Sequence, residues 1–332
     1  MSEEPEGALA DAVRRDACKA LSDEWLDAAI GRLVEASRQS IRAVVFFGSR
    51  MSGAGANTHS AHDLFIVVDE YRSFYEAIEA AGLCRRGVSF LTALNRVLPP
   101  NQLSLRLTGG SVPPFHGKCA VISLRHFLRE TSRRRRDHFC QGRLFQPVSL
   151  VHAATDDTRD EILRALVDVR RQTVRWSGPY LPAEFDVEQY CLRLLEVSLA
   201  GEVRPESSAR ARRLAEAQRE RQRPVYAALL GLLEAEGALR RTGDGRWALA
   251  RRPSTLARLR CRLYFAQSLV RATIRWGKHI LTFEGWLDYL VRKVERHSGQ
   301  HIELTNRERR YPLVFLWPRF FRHMWTKNER GR

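Results

Sequence analysis

Four dispersed stretches hold residue types suited to phosphate chemistry. VVFFGSR places Gly48 and Ser49 directly after an apolar run, and Asp63 opens the next one, DLFIVVD. A glycine at such a corner lets the backbone approach a phosphate closely. Lys118 heads the stretch KCAVISL and is one of only five lysines in the chain. An ammonium group there is a point charge fit for a phosphate oxygen. Arg143 follows Gly142 in a predicted turn, and Arg204 follows Gly201 at a predicted helix end. Either guanidinium can reach a phosphate. Plainer alternatives stand beside each: Asp63 as a cap, Lys118 as a surface lysine, both arginines as surface groups offsetting a helix dipole. His59 and His62 fall in the loop before Asp63 and read as loop polar residues rather than acid–base groups.

These residues need an α/β body to position them. Residues 21–39 have helical spacing, with Ser22 as candidate N-cap and Trp25, Ala29, Leu33 and Val34 on one face. IRAVVFF and DLFIVVD are β-branched, apolar runs and read as buried strands around a Gly/Ser/Asn-rich loop. Residues 71–81 look helical. VLPPNQLSLRL and GKCAVISL contain two further strands, all in one sheet. From about residue 157 the pattern turns helical, with Ile162, Leu163, Leu166 and Val169 as one apolar stripe. Two or three more helices follow. Then Gly243, Asp244 and Gly245 make a hairpin turn, with Trp247–Leu249 as the return strand. The SRRRR run at Ser132–Arg136 reads as a solvated helix face. The expected domains are 1–155 (α/β), 156–256 (helical, winged-helix-like) and 257–332 (basic, aromatic and helical).

The Gly-Ser corner followed by an aspartate on the next strand resembles the polymerase β-like nucleotidyltransferases. In that superfamily the Gly-Ser pair holds triphosphate oxygens and strand carboxylates hold Mg²⁺. Its usual second aspartate, two residues on, is Phe65 here. Asp69 lies about 20 Å along an extended strand, so it joins Asp63 at a metal only if the strand ends or bends first. A closer resemblance covers about residues 44–256. The chain resembles the phosphatidate cytidylyltransferases known as mitochondrial translocator assembly and maintenance proteins, a family with bacterial members that also lacks the +2 aspartate. FFGSR matches its Gly-Ser loop, with Arg50 where glycine is usual. DLFIVVD matches at Asp63, Val68 and Asp69. GKCAVISL matches at Lys118, Val121, Ile122 and Ser123. QGRLFQPV matches at Gly142, Arg143, Leu144, Pro147 and Val148, with Gln146 in place of the usual lysine. LPAEFDVEQYCLRLLEVSLAGEVR matches at Leu181, Pro182, Phe185, Ser198, Gly201 and Arg204, with Glu202 replacing aspartate.

The resemblance implies a polymerase β-like domain followed by a winged-helix-like one. It implies synthesis of CDP-diacylglycerol and pyrophosphate from CTP and phosphatidate, with Mg²⁺, for cardiolipin and phosphatidylglycerol synthesis. Asp63 and Lys118 become the expected catalytic pair. Gly48, Ser49, Arg50, Arg143 and Arg204 become expected contacts to CTP or phosphate. Asp63, Asp69 and Glu202 become expected metal ligands, Glu202 having the second reading of an anchor for Arg204. A homodimer is compatible with the family's habit.

Composition bounds the partners. The 332 residues are 44% hydrophobic and 28% charged, a globular balance, with net charge +17. Residues 251–332 hold 19 basic and 6 acidic side chains, so most of the excess lies in the last quarter. Such a block calls for a polyanionic partner, nucleic acid or an anionic membrane. Trp276, Trp286, Tyr289, Tyr311, Phe315, Trp317, Phe320, Phe321 and Trp325 interleave with those arginines, as an interfacial segment requires. The same aromatics alternatively form the core of a small third subdomain. The six cysteines are scattered, which suggests a reducing compartment, and no signal-peptide pattern or spanning-length apolar run is present. The expected location is cytoplasmic, peripheral on the inner face of a bacterial inner membrane. A nucleotidyltransferase or binding module acting on nucleic acid is the alternative, with arginines gripping the backbone and aromatics stacking bases. It is disfavoured because the matched segments point to the lipid enzyme. An inactive scaffold is disfavoured by retention of Ser49, Asp63 and Lys118 together.

Overall fold

A computed structural model describes residues 3–19, 24–52, 61–107, 115–202, 207–282, 305 and 307. Two helices, α1 (Glu3–Ala17) and α2 (Glu24–Ala36), precede β1 (Ile41–Phe47). A single helical turn, α3 (Ser49–Ser52), follows Gly48, and β2 spans His62–Val68. Helices α4 (Tyr71–Ala80) and α5 (Val88–Val97) lead to β3 (Asn101–Leu107) and β4 (Phe115–Ser123). Next come α6 (Leu124–Thr131), the one-turn α7 (Gln141–Leu144) and β5 (Ser149–Ala153). The helical part is α8 (Asp156–Arg171), α9 (Thr173–Ser177), α10 (Val187–Ala200) and α11 (Ser208–Ala235). A hairpin of β6 (Leu239–Arg241) and β7 (Trp247–Leu249) precedes α12 (Thr255–Thr282).

The fold is mixed α/β with a five-stranded mixed sheet in the order β3-β4-β2-β1-β5. β2 runs parallel to β4, and the other pairings are antiparallel. Both faces of the central strands are covered, which explains why β1 and β2 are near-continuous apolar runs rather than alternating ones. One face buries Val44, Phe46, Leu64 and Ile66 against Leu33 of α2, Phe74 of α4 and Leu91 of α5. The other buries Val45, Phe47, Phe65 and Ala120 with Val13 of α1, Leu166 of α8, Leu194 of α10 and Leu229 of α11.

Local chemistry fixes the helix starts. Asp186 and Gln189 form a reciprocal capping box at α10, and Thr155 caps α8. Residues Met1–Thr282 form one compact unit and Phe283–Arg332 a second. The expected boundaries after 155 and 256 lie inside the first unit, because sheet and helices share one core.

Several local expectations need correction. Arg133–Arg136 follow the end of α6 as a loop, where the sequence suggested a helix face. Arg143 sits in α7 rather than a turn. Lys118 is the fourth residue of β4, inside the strand rather than at its head. His62 belongs to β2 and is buried between the rings of Phe46 and Phe115, with centroids 5.7 and 5.0 Å away. Ser22, His59 and Arg204 lie outside the described residues, as do the aromatics from Trp286 onward. Among the described residues, no helix is long and apolar enough to cross a membrane.

A buried amide network ties α5 to the β3–β4 edge. Asn95 donates to the Tyr75 hydroxyl (2.9 Å) and to the Val121 carbonyl (3.1 Å), and accepts from the Asn101 N–H (2.8 Å). Asn95→Ala removes three buried hydrogen bonds, the Tyr75 hydroxyl keeping only its bond from Asn101 Nδ2 (2.8 Å), and is expected to lower unfolding free energy by about 2–4 kcal/mol. Urea denaturation checks this, and wild-type stability in the variant contradicts it.

Candidate functional site

The Gly48 corner forms where β1, paired on both sides, ends and the chain turns at one end of the sheet. Gly48 has φ +92°, a conformation that side-chain-bearing residues rarely adopt. A Cβ built on it falls 2.6 Å from Asp63 Oδ2 and 3.2 Å from Asp63 Cγ. Glycine is therefore required twice over, by its backbone angle and by the carboxylate pressed against it. Phe47 pairs across strands with Asp63, which sets that approach. Ser49 and Arg50 follow as the first two residues of α3.

Asp63 in turn pairs in register with Lys118 on the parallel strand β4. Neighbouring strands lie about 4.8 Å apart, with paired residues on a common face. Both residues are half-buried. Gly48, Asp63 and Lys118 thus meet at one end of the sheet.

The rest of the expected metal set does not assemble there. β2 stays extended to Val68, leaving Asp69 exposed about 20 Å along the strand from Asp63. Its backbone N–H is bonded to the Ser40 carbonyl at the strand's far end. Phe65, at the +2 position, is fully buried against Phe47, Phe127 and Phe139, with ring centroids 4.9, 6.1 and 6.1 Å away. An aromatic cluster fills the space a second carboxylate would need. Glu202 lies 3.8 Å from Arg143 Nη2 and is its ion-pair partner. Among the described residues, no group of three or more His, Cys, Asp or Glu side chains is placed to hold a metal.

Two of the dispersed segments do meet. Gly142 packs against Ser198, a Cβ there lying 3.0 Å from the Ser198 hydroxyl and from the His138 ring. His138 bonds that hydroxyl (3.0 Å), and burial, with Arg135 and Arg143 nearby, pushes its pKa down to about 3. It stays neutral and structural. Arg143 lies over the Phe139 ring, 3.9 Å from its centroid.

The structure adds residues that the sequence reading assigned to a membrane face. Arg271, Arg275, Lys278 and His279 of α12 turn toward the body of the fold. Burial holds His279 at about 3, helped by Lys278, Arg143, Arg275 and Lys118. Cations from α7, β4 and α12 therefore act on one imidazole. The i, i+4, i+7 spacing of Arg271, Arg275 and Lys278 was the available signal, since it places three cations on one helix face.

No protein-family model matches the chain, and no curated protein matches it.

Two substitutions test the corner. Gly48→Ala is expected to destabilise by about 1–2 kcal/mol from backbone conformation alone, with the clash against Asp63 added. Phe65→Asp is expected to cost about 3 kcal/mol or more, because it buries a carboxylate among aromatic rings. Thermal and urea unfolding read both. A Phe65→Asp protein as stable as wild type would mean that the position tolerates a second carboxylate.

Proposed function

We propose that the chain is a CTP:phosphatidate cytidylyltransferase that makes CDP-diacylglycerol and pyrophosphate. The observation that carries the reading is the Gly48 backbone lying against Asp63, with Lys118 in register beside it. That arrangement offers a close-approach backbone, one carboxylate and one cation at a single sheet end. The antiparallel β1–β2 pair and the parallel β4 support a polymerase β-like nucleotidyltransferase core. The β6–β7 hairpin after α11 supports a winged-helix-like element built onto the same core.

The donor set fits a Mg²⁺ ion carried by nucleotide rather than one caged by protein. Mg²⁺ is commonly bound by one or two carboxylates together with substrate phosphates, and Asp63 is the carboxylate at the corner. Bound there, the ion would neutralise triphosphate charge and polarise the α-phosphorus. The chain's own part is positioning and charge balance. Gly48 and Ser49 would seat the triphosphate, and Lys118 would offset its charge. A phosphatidate oxygen attacks the α-phosphorus of CTP, the α–β phosphoanhydride bond breaks, and pyrophosphate leaves. The attacking phosphate is already anionic, so no protein base is required. That suits a site whose buried histidines, His138 and His279, are held neutral.

A lipid acceptor calls for peripheral attachment to a membrane. The outer face of α12 exposes Leu256, Leu259, Leu263, Val270 and Ile274 beside exposed Arg258, Arg260 and Arg262. This pairing of apolar and cationic groups suits an anionic bilayer surface.

Pyrophosphate release with each NTP and Mg²⁺, with and without phosphatidate vesicles, tests the activity. Release is expected only with CTP and phosphatidate together, and Asp63→Ala should lower it roughly hundredfold or more. Release with any NTP plus RNA, and none with lipid, would replace the reading with a nucleic-acid enzyme. Removing residues 311–332 should leave CTP binding intact and cut turnover on liposomes. Unchanged co-sedimentation with anionic liposomes after that truncation would exclude the tail as an anchor.

A further inference from the structure

The inner face of α12 holds more positive charge than the fold answers. Arg271 Nε and Arg275 Nη2 share one carboxylate oxygen, Asp137 Oδ2, at 2.8 and 2.7 Å. Lys278 Nζ donates to the carbonyls of Leu98 and Pro100. Arg275 is 4% exposed and Lys278 6%. Three cations thus face one buried carboxylate. Burial would raise the Asp137 pKa, but Arg275 and Arg271 hold it below the usual range, so it stays ionised. Among the described residues, buried Arg275 Nε and Nη1 and Arg271 Nη2 have no hydrogen-bond partner. A buried cationic N–H without an acceptor costs several kcal/mol, which marks a place short of an anion.

The place is beside the nucleotide corner and distinct from it. Arg275 and Arg143 both lie on the Phe139 ring, 4.6 and 3.9 Å from its centroid. That ring contacts Phe65, two residues along β2 from Asp63 and on the same sheet face. His279, next to Lys278, bonds the Gln102 side chain on β3, which pairs with Ala120, two residues from Lys118.

We propose that Arg143, Arg271, Arg275 and Lys278 form the seat of a phosphomonoester dianion, the phosphate of the acceptor substrate. With Lys278 protonated, the three α12 cations exceed Asp137 by two charges, which such a dianion cancels. A purely structural strap would need no surplus. Burial, with Arg275 and Arg271 beside it, pulls Lys278 down to about 7, and a bound dianion would restore its proton. The assignment rests on the transferase reading above, and its test separates the two.

Dihexanoyl phosphatidate, glycerol 3-phosphate and inorganic phosphate are titrated calorimetrically into the full chain, with MgCTP titrated in parallel. Lys278→Met should fold, because it removes a surplus buried cation while keeping the stem. It should weaken the tightest-binding phosphate probe by roughly tenfold or more and leave MgCTP affinity within about twofold. Arg275→Gln should do the same. Should it fail to fold, Lys278→Met still decides. Asp63→Asn should show the converse pattern. Preference for phosphatidate over inorganic phosphate identifies a lipid headgroup as occupant, and the reverse identifies free phosphate. The seat is refuted if wild type binds none of the probes, or if folded Lys278→Met binds them with wild-type affinity. Probe binding without MgCTP binding would overturn the transferase reading and leave the seat standing.

Discussion

The approach of the Gly48 backbone to the Asp63 carboxylate is the constraint on which the candidate site depends. It needs a residue without Cβ at φ +92° and a carboxylate paired across from Phe47. Neither condition is local. The register of β1 against β2 sets it, and that register is held by apolar residues buried on both faces of the sheet. A one-residue slip would send Asp63 to the opposite face and bury it among the side chains around Leu64. The sheet's core therefore specifies where one charged group stands.

Charge organises the second half of the site. Arginine supplies 50 of the 55 basic residues, and its forked donors suit phosphate. Part of that charge is spent internally: Arg170 and Arg221 meet Asp16, and Arg171 meets Glu6 and Glu236. The cations of α12 gather at one carboxylate: Arg271 and Arg275 both meet Asp137, and three of their buried N–H donors have no partner among the described residues. Phe139 carries two guanidiniums and touches Phe65, so the aromatic cluster in the second-carboxylate position also floors the cationic region. Phe65 thus bears on two features together.

Much of the sheet was legible from the sequence. IRAVVFF and DLFIVVD are β-branched runs too short for buried helices, and they became β1 and β2. The hairpin was legible because Gly245, at φ +78°, closes its turn. The stripe from Ile162 to Val169 was legible because 3.6-residue spacing repeats over two turns. Other elements escaped, three of them instructive. SLVHA of β5 is short and half-buried, and α5 carries a mixed pattern in which Asn95 is a core residue. α1 looks acidic and polar, yet Leu9, Val13 and Ala17 are fully buried. Its partner α11 is distant in sequence, so no local pattern announces the contact. The Gly48–Asp63–Lys118 neighbourhood was anticipated as a set of types; its register required the sheet. The inward cations of α12 were missed because arginines amid aromatics suggest a membrane face, and the orientation depends on Asp137 more than 130 residues away.

A crystal structure grown with a non-hydrolysable CTP analogue and Mn²⁺ tests the central claim most directly. The account predicts an anomalous manganese peak at Asp63, with triphosphate oxygens against the Gly48–Ser49 backbone. A triphosphate bound elsewhere, with the Asp63 carboxylate turned to solvent, would contradict it.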